Sequence, residues 1–304
     1  MLRNCTRKFE ADKCPLEYAK LQYRPSVVGN VIYMICFFIL LGGQAFFGIR
    51  TKTYKYCAVV CLGIIGEIVG YIGRLMLYNN PYSMDSFLTN LVPLTIAPAL
   101  ITGGIYLCLG RVITAIGAEN SRIGPKMYTY IFVGSDLFSL ILQAVGGAMA
   151  SMATDKDGQD LGVRIMIAGL IFQVVSMTVF FAIWGDFVLR TRKAKMSGSL
   201  ARLQPPLYAH LRDDGLGVAT ILIYIRCIYR VAELWGGFQS HLANDEATFM
   251  IFEGPMIIIA VSAMTMFHPG TSCSQVQSTL KQHFQDCYLA RHHCWTFTNR
   301  VSLL

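Results

Sequence analysis

Charge is scarce in this sequence: Asp, Glu, Lys and Arg make up 14% of 304 residues, where soluble domains carry about a quarter. With 54% hydrophobic residues, that shortage identifies a membrane protein. An apolar h-region is missing from the first 26 residues, which mix Arg, Lys, Glu and Asp, so no removable signal peptide is expected and the first hydrophobic span inserts by itself. Period-two alternation is missing as well, and the apolar runs are too long for barrel strands. There is no nucleotide-binding loop, which argues against direct ATP-driven work. The last apolar stretch has no lysine, which excludes a retinal protein. All six histidines fall in loops, tails or span ends, so a metal hydrolase with histidines at membrane depth is excluded. The expectation is a non-enzyme without cofactor or metal site.

What is present is hydrophobic length. A hydrocarbon core about 30 Å thick needs roughly 20 helical residues, and seven stretches meet it: 27–49, 56–78, 87–112, 128–152, 163–189, 217–237 and 247–267. The fold class is therefore all-α, a polytopic seven-transmembrane-helix bundle spanning 27–267, with an N-tail of residues 1–26 and a C-tail of 268–304. The connections after spans one, three and five, together with the C-tail, hold fifteen Lys and Arg, and the other side holds seven. This asymmetry predicts the N-terminus outside and the C-terminus in the cytosol. The net charge of +8, concentrated on the cytosolic side, suits anionic lipid headgroups and not nucleic acid. Of ten cysteines, Cys36, Cys57, Cys61, Cys108 and Cys227 read as small buried apolar residues. Cys5 and Cys14 lie in the outer tail beside a glycosylation sequon at Asn4, which suits a disulfide. Cys273, Cys287 and Cys294 are expected to be free cytosolic thiols. The connection between spans five and six, 190–216, carries Pro205 and Pro206 and reads as a solvated basic segment.

Several polar residues interrupt the spans. Span six carries Arg226, Arg230 and Glu233 at i, i+4 and i+7, one helix face. Each ionised group costs about 2.5 to 3.5 kcal/mol at the bilayer centre on insertion scales, so the three must face protein or water. Span two has Glu67 and Arg74 seven apart, with Gly63, Gly66, Gly70 and Gly73 at three- and four-residue intervals, which allows close approach of a neighbouring backbone. Span three has Pro93 and Pro98, which predict a kink. Span four has Asp136 and Gln143, span five Gln173, and span seven Glu253 two residues before Pro255.

In their order along the chain these residues resemble one family, the fungal seven-span lipid-translocating exporters, which include aminocholesterol-resistance, sphingoid-base-resistance and porphyrin-transport proteins. The resemblance runs from Tyr23, Pro25 and Asn30 through Glu67, Gly70, Tyr71 and Arg74, then Ala97, Pro98, Tyr106, Gly110 and Arg111. It continues with Asp136, Gln143, Gly146 and Gly147, then Gly169 and Gln173, Arg226, Tyr229, Arg230 and Glu233, Glu246, and His268, Pro269 and Gly270. One position departs: Glu253 stands where an aspartate is expected. The resemblance implies a fungal source, the plasma membrane as location, membrane lipids as surroundings and an amphipathic small-molecule substrate such as a sphingoid long-chain base. Oligomeric state is left open.

Counting about 1.5 Å per helical residue puts Glu67 and Arg226 near the midplane and Arg74, Arg230, Glu233 and Glu253 on its outer side. Three positive groups thus face three negative ones, and equal depth predicts that Glu67 meets Arg226 or Arg230. The cluster is either glue that fixes helix register or the lining of a cavity or groove that accepts a lipid headgroup. In the second reading Glu67, Glu233 or Glu253 takes an amine, and Asp136 serves as an entry contact or proton carrier. The alternative function is a seven-span receptor or lipid-stress sensor acting through its cytosolic surface.

Overall fold

The computed structural model describes residues 21, 23–116, 125–153, 155–196, 207–237, 240 and 242–268, with backbone alone at 111–116, 125, 126, 128, 187, 188, 191–196 and 207–214. Asn4, Cys5, Cys14, the stretch 197–206 and everything from Pro269 onward lie outside the described residues. The helices are α1 (Val27–Arg50), α2 (Tyr54–Asn79), α3 (Met84–Ile116), α4 (Pro125–Met152), α5 (Lys156–Met196), α6 (Leu207–Trp235), α7 (Glu246–Phe252) and α8 (Gly254–Met266). A one-turn 3₁₀ segment, Leu242–Asn244, precedes α7. Among the described residues seven segments are long and apolar enough to cross a membrane, with α7 and α8 together forming the seventh.

The surface has the inverted polarity that a lipid surround requires: Val28, Ile39, Ile49 and Tyr130 are exposed, while Glu67, Arg74, Asp136 and Glu253 are buried. Helix α1 starts where Ser26 accepts a hydrogen bond from the Gly29 N–H, one of the orphan donors of a first turn. Glycines set the closest contacts. A Cβ on Gly73 would come within 2.4 Å of the Asn90 backbone nitrogen, and one on Gly63 within 3.0 Å of the Ala97 carbonyl oxygen, so the glycine stripe of α2 lies directly against α3. Helices α4 and α5 form a second tight pair, with Gly146 against the Met166 nitrogen and Gly162 against the Ala150 nitrogen. The main core gathers Phe37, Tyr56, Tyr71, Ile105, Phe180 and Val261 from five spans.

Pro93 and Pro98 lie inside one continuous helix, where neighbouring helices can satisfy the backbone groups that proline frees. Two features differ from expectation. Helix α5 continues to Met196 and α6 begins at Leu207, so both flanks of the 190–216 connection are helical; hydropathy marks the apolar stretch, whereas a helix continues as long as its backbone bonds do. Span seven is broken at Glu253, which is at once the C-cap of α7 and the N-cap of α8. Pro255 has no N–H for the Ile251 carbonyl, and Gly254 lies so close to the Tyr33 ring and the Tyr71 hydroxyl that a Cβ there would come within 2.7 Å of both.

Candidate functional site

The α6 stripe turns inward, as its spacing requires. Arg226, Arg230 and Glu233 are 3%, 6% and 6% exposed. At mid-depth, Arg226 Nη2 donates to Glu253 Oε1 across to the break in span seven. The same nitrogen donates to the Leu94 carbonyl of α3 at 2.7 Å. Leu94 lies four residues before Pro98, so its carbonyl is the one that proline leaves without a donor. Nearer the end of the bundle that carries the N-terminus, Arg230 Nη1 donates to Glu233 Oε2 at 2.7 Å along the same helix, and Ser240 Oγ donates to the Glu233 carbonyl at 3.1 Å.

The expected pairing of Glu67 is not formed. Its carboxyl is wholly buried, and neither oxygen has a hydrogen-bond partner among the described residues, although Arg226, Glu253 and Arg230 are charges that act on it. Arg226 is turned to Glu253 because the broken span brings that carboxylate to the same depth. Depth alone does not distinguish the two glutamates; helix rotation does.

Arg74 also departs from the expectation of three facing charge pairs. Its partners are neutral: Nε donates to Asn30 Oδ1 at 3.1 Å and Nη2 to the Tyr23 hydroxyl at 2.8 Å. The guanidinium lies 3.7 Å from the centroid of the Phe249 ring, a cation–π contact in a desolvated setting. Asn30 Nδ2 in turn donates to the Ser26 carbonyl at 2.6 Å, and the Ser26 N–H donates to Glu246 Oε1. The arginine cage thus joins the residues before α1, α1 itself, α2 and α7. Burial by these neighbours, offset in part by Arg74, pushes the Tyr23 hydroxyl pKa up.

Asp136 lies apart from this cluster, in the half of α4 toward the other end of the bundle. It is 5% exposed, faces Tyr106 of α3, and among the described residues makes no hydrogen bond of ordinary geometry through either oxygen. Gln143 Nε2 donates to Gln173 Oε1 at 3.1 Å, tying α4 to α5. The outward face of α6 carries a different feature, a groove of about 490 Å³ lined by Ile171, Val174 and Val175 of α5 and by Ile228, Val231 and Trp235 of α6. Toward the bundle middle, Thr178 and Tyr224 bridge the same two helices by a 2.9 Å hydroxyl contact. The charged residues do not line this groove; they occupy the opposite face of α6.

Sequence reasoning singled out all eight polar residues but missed what several of them touch. Phe249 and the Leu94 carbonyl carry no polar signal of their own. The second could have been found, because each proline within a helix leaves one predictable carbonyl unbonded.

Comparison with known proteins adds the relatives. A family description, "RTA1 like protein", matches residues 60–275. The sphingoid long-chain base transporter RSB1 of Saccharomyces cerevisiae (strain Lalvin EC1118) is 34% identical over 276 residues, covering 81% of this chain and 72% of the relative. Protein RTM1 of S. cerevisiae is 33% identical over 218 residues, covering 69% and 66%. Protein RTA1 of the same species is 31% identical over 207 residues, covering 67% and 63%. No solved structure matches the chain.

Proposed function

We propose that this chain, which belongs to the RTA1-like protein family, translocates single-chain amphipathic lipids bearing an amine, of the sphingoid long-chain base class. The observation that carries the reading is the division of labour across α6. Its inner face looks toward carboxyl groups whose valences are only partly used, Glu67 of α2 and Glu253 Oε2 at the break in span seven, and its outer face borders an apolar groove open to lipid. An amine needs the first kind of surface and an alkyl chain the second. The likeness to a relative named as a sphingoid long-chain base transporter supports that substrate class.

In this reading the residues that serve the headgroup are Glu67, Glu233 and Glu253, with Arg226 paired to Glu253 and Arg230 to Glu233, Arg74 and Gln143 fixing the helices around them, and Asp136 as a separate contact at the other end. The protein resides in the plasma membrane with its N-terminus outside. A receptor reading gains some support from α5 and α6, which run on past their apolar stretches, and one experiment separates the two. Vesicles containing only this protein are loaded with a labelled sphingoid base, and its movement between leaflets is timed. The expected result is faster movement than in protein-free vesicles, and slower movement with Asp136→Asn, a change that leaves no charge unpaired. Equal rates with and without protein would abandon translocation in favour of reception.

A further inference from the structure

We propose that Glu67 is a proton-binding site, a carboxylic acid that exchanges its proton with Glu253 around the shared guanidinium of Arg226. The ligand is a proton, so the inference stands apart from which lipid is carried.

At mid-depth the Arg226–Glu253 pair lies within electrostatic reach of the Glu67 carboxyl. Glu253 has the guanidinium, while Glu67 is 0% exposed with both oxygens unpartnered among the described residues. A lone ionised carboxylate in such surroundings is far more costly than the neutral acid, and buried groups in this position take up a proton. The Tyr71 hydroxyl, one turn further along α2, is likewise buried and unpartnered. The charges acting on Glu67 are Arg226 and Arg230 from α6 and Glu253 from the break. Arg230 is occupied by Glu233, and Arg74, two turns along α2, by Asn30 and Tyr23. From α1, Tyr33 is engaged with the Met250 carbonyl at 2.8 Å.

The unused valences are complementary. Among the described residues Arg226 Nε has no acceptor, and Glu253 Oε2 has no donor. A proton leaving the Glu67 carboxyl and binding Glu253 Oε2 makes a carboxylate of the first and an acid of the second. The guanidinium keeps its charge and passes from Glu253 to Glu67, with Nε as its free donor. Charge in this layer is the same before and after. Because Glu253 caps both α7 and α8, the exchange releases the break in span seven from α6, which is how a proton bound at Glu67 reaches the geometry of that span.

The test uses the full-length protein in lipid nanodiscs at neutral pH, read by infrared spectroscopy without any lipid substrate, so that its failure is distinct from a failure of transport. The wild type should show the carbonyl band of a buried carboxylic acid that is absent from E67Q. It should also be absent from E253Q, where Glu67 ionises to hold Arg226. E67Q and E253Q should each accumulate at the wild-type level. E67Q/E253Q should fall by roughly tenfold or more, as expected for an unpaired buried guanidinium. An unchanged band in E67Q, or a collapse of E67Q alone to the level of the double variant, would show that Glu67 is ionised and overturn the proposal.

Discussion

A proline inside a helix leaves the carbonyl four residues earlier without its donor, and in α3 that carbonyl belongs to Leu94 and is taken by Arg226. Replacing Pro98 by alanine therefore has two opposed effects. It removes a helix defect worth about 3 kcal/mol, and it supplies an N–H that competes with Arg226, whose hydrogen bond, being to a charged group, is worth about 1.5 to 3 kcal/mol. Pro98→Ala is expected to leave the melting temperature of the solubilised protein nearly unchanged. Pro93→Ala should raise it, since the Thr89 carbonyl receives no side-chain donor among the described residues. A rise as large for Pro98→Ala as for Pro93→Ala would mean that the Arg226 contact contributes nothing. The cage around Arg74 gives a second prediction: Tyr23→Phe removes an acceptor from a buried cation and should lower stability by about 1.5 to 3 kcal/mol, measured by the same melt.

At the scale of elements, spans and interfaces were legible in the sequence to different degrees. The seven apolar lengths and the glycine stripe of α2 could be read directly, because hydropathy and small-residue spacing depend on a helix and its own neighbours. The exchange of partners between Glu67 and Glu253 could not, because it depends on how α2, α6 and the broken seventh span are rotated about their axes. The ends of α5 and α6 were hidden for another reason: a helix that leaves the apolar layer keeps its backbone bonds while its composition turns polar. The glycine interface is testable on its own terms. Gly73→Ala would drive a methyl into the Asn90 backbone and is expected to cost about 1 to 3 kcal/mol or more through overpacking. Gly134→Ala meets nothing within 4 Å and should be neutral or slightly stabilising, because alanine is the better helix former. Thermal melts of the two variants side by side give the comparison.

For the whole molecule, the proposed orientation can be tested at two exposed turns at opposite ends of the bundle. Lys52 lies in the turn after α1 and Asp157 at the start of α5. With the N-terminus outside, an impermeant thiol reagent applied to intact cells should label Asp157→Cys and spare Lys52→Cys; the reverse pattern would invert the bundle. The Arg74 cage has a further bearing on how the chain is made. Its members come from the residues just before span one, from spans one and two, and from span seven, so a ribosome still extending the chain has delivered the arginine long before Phe249 exists. Throughout that interval a cation sits in the membrane with its ring partner unsynthesised, and the Ser26 N–H waits equally long for Glu246. Completion of the last span is thus the event that seals the first, and a chain terminated after Trp235 should be cleared by quality control although six of its seven spans are intact.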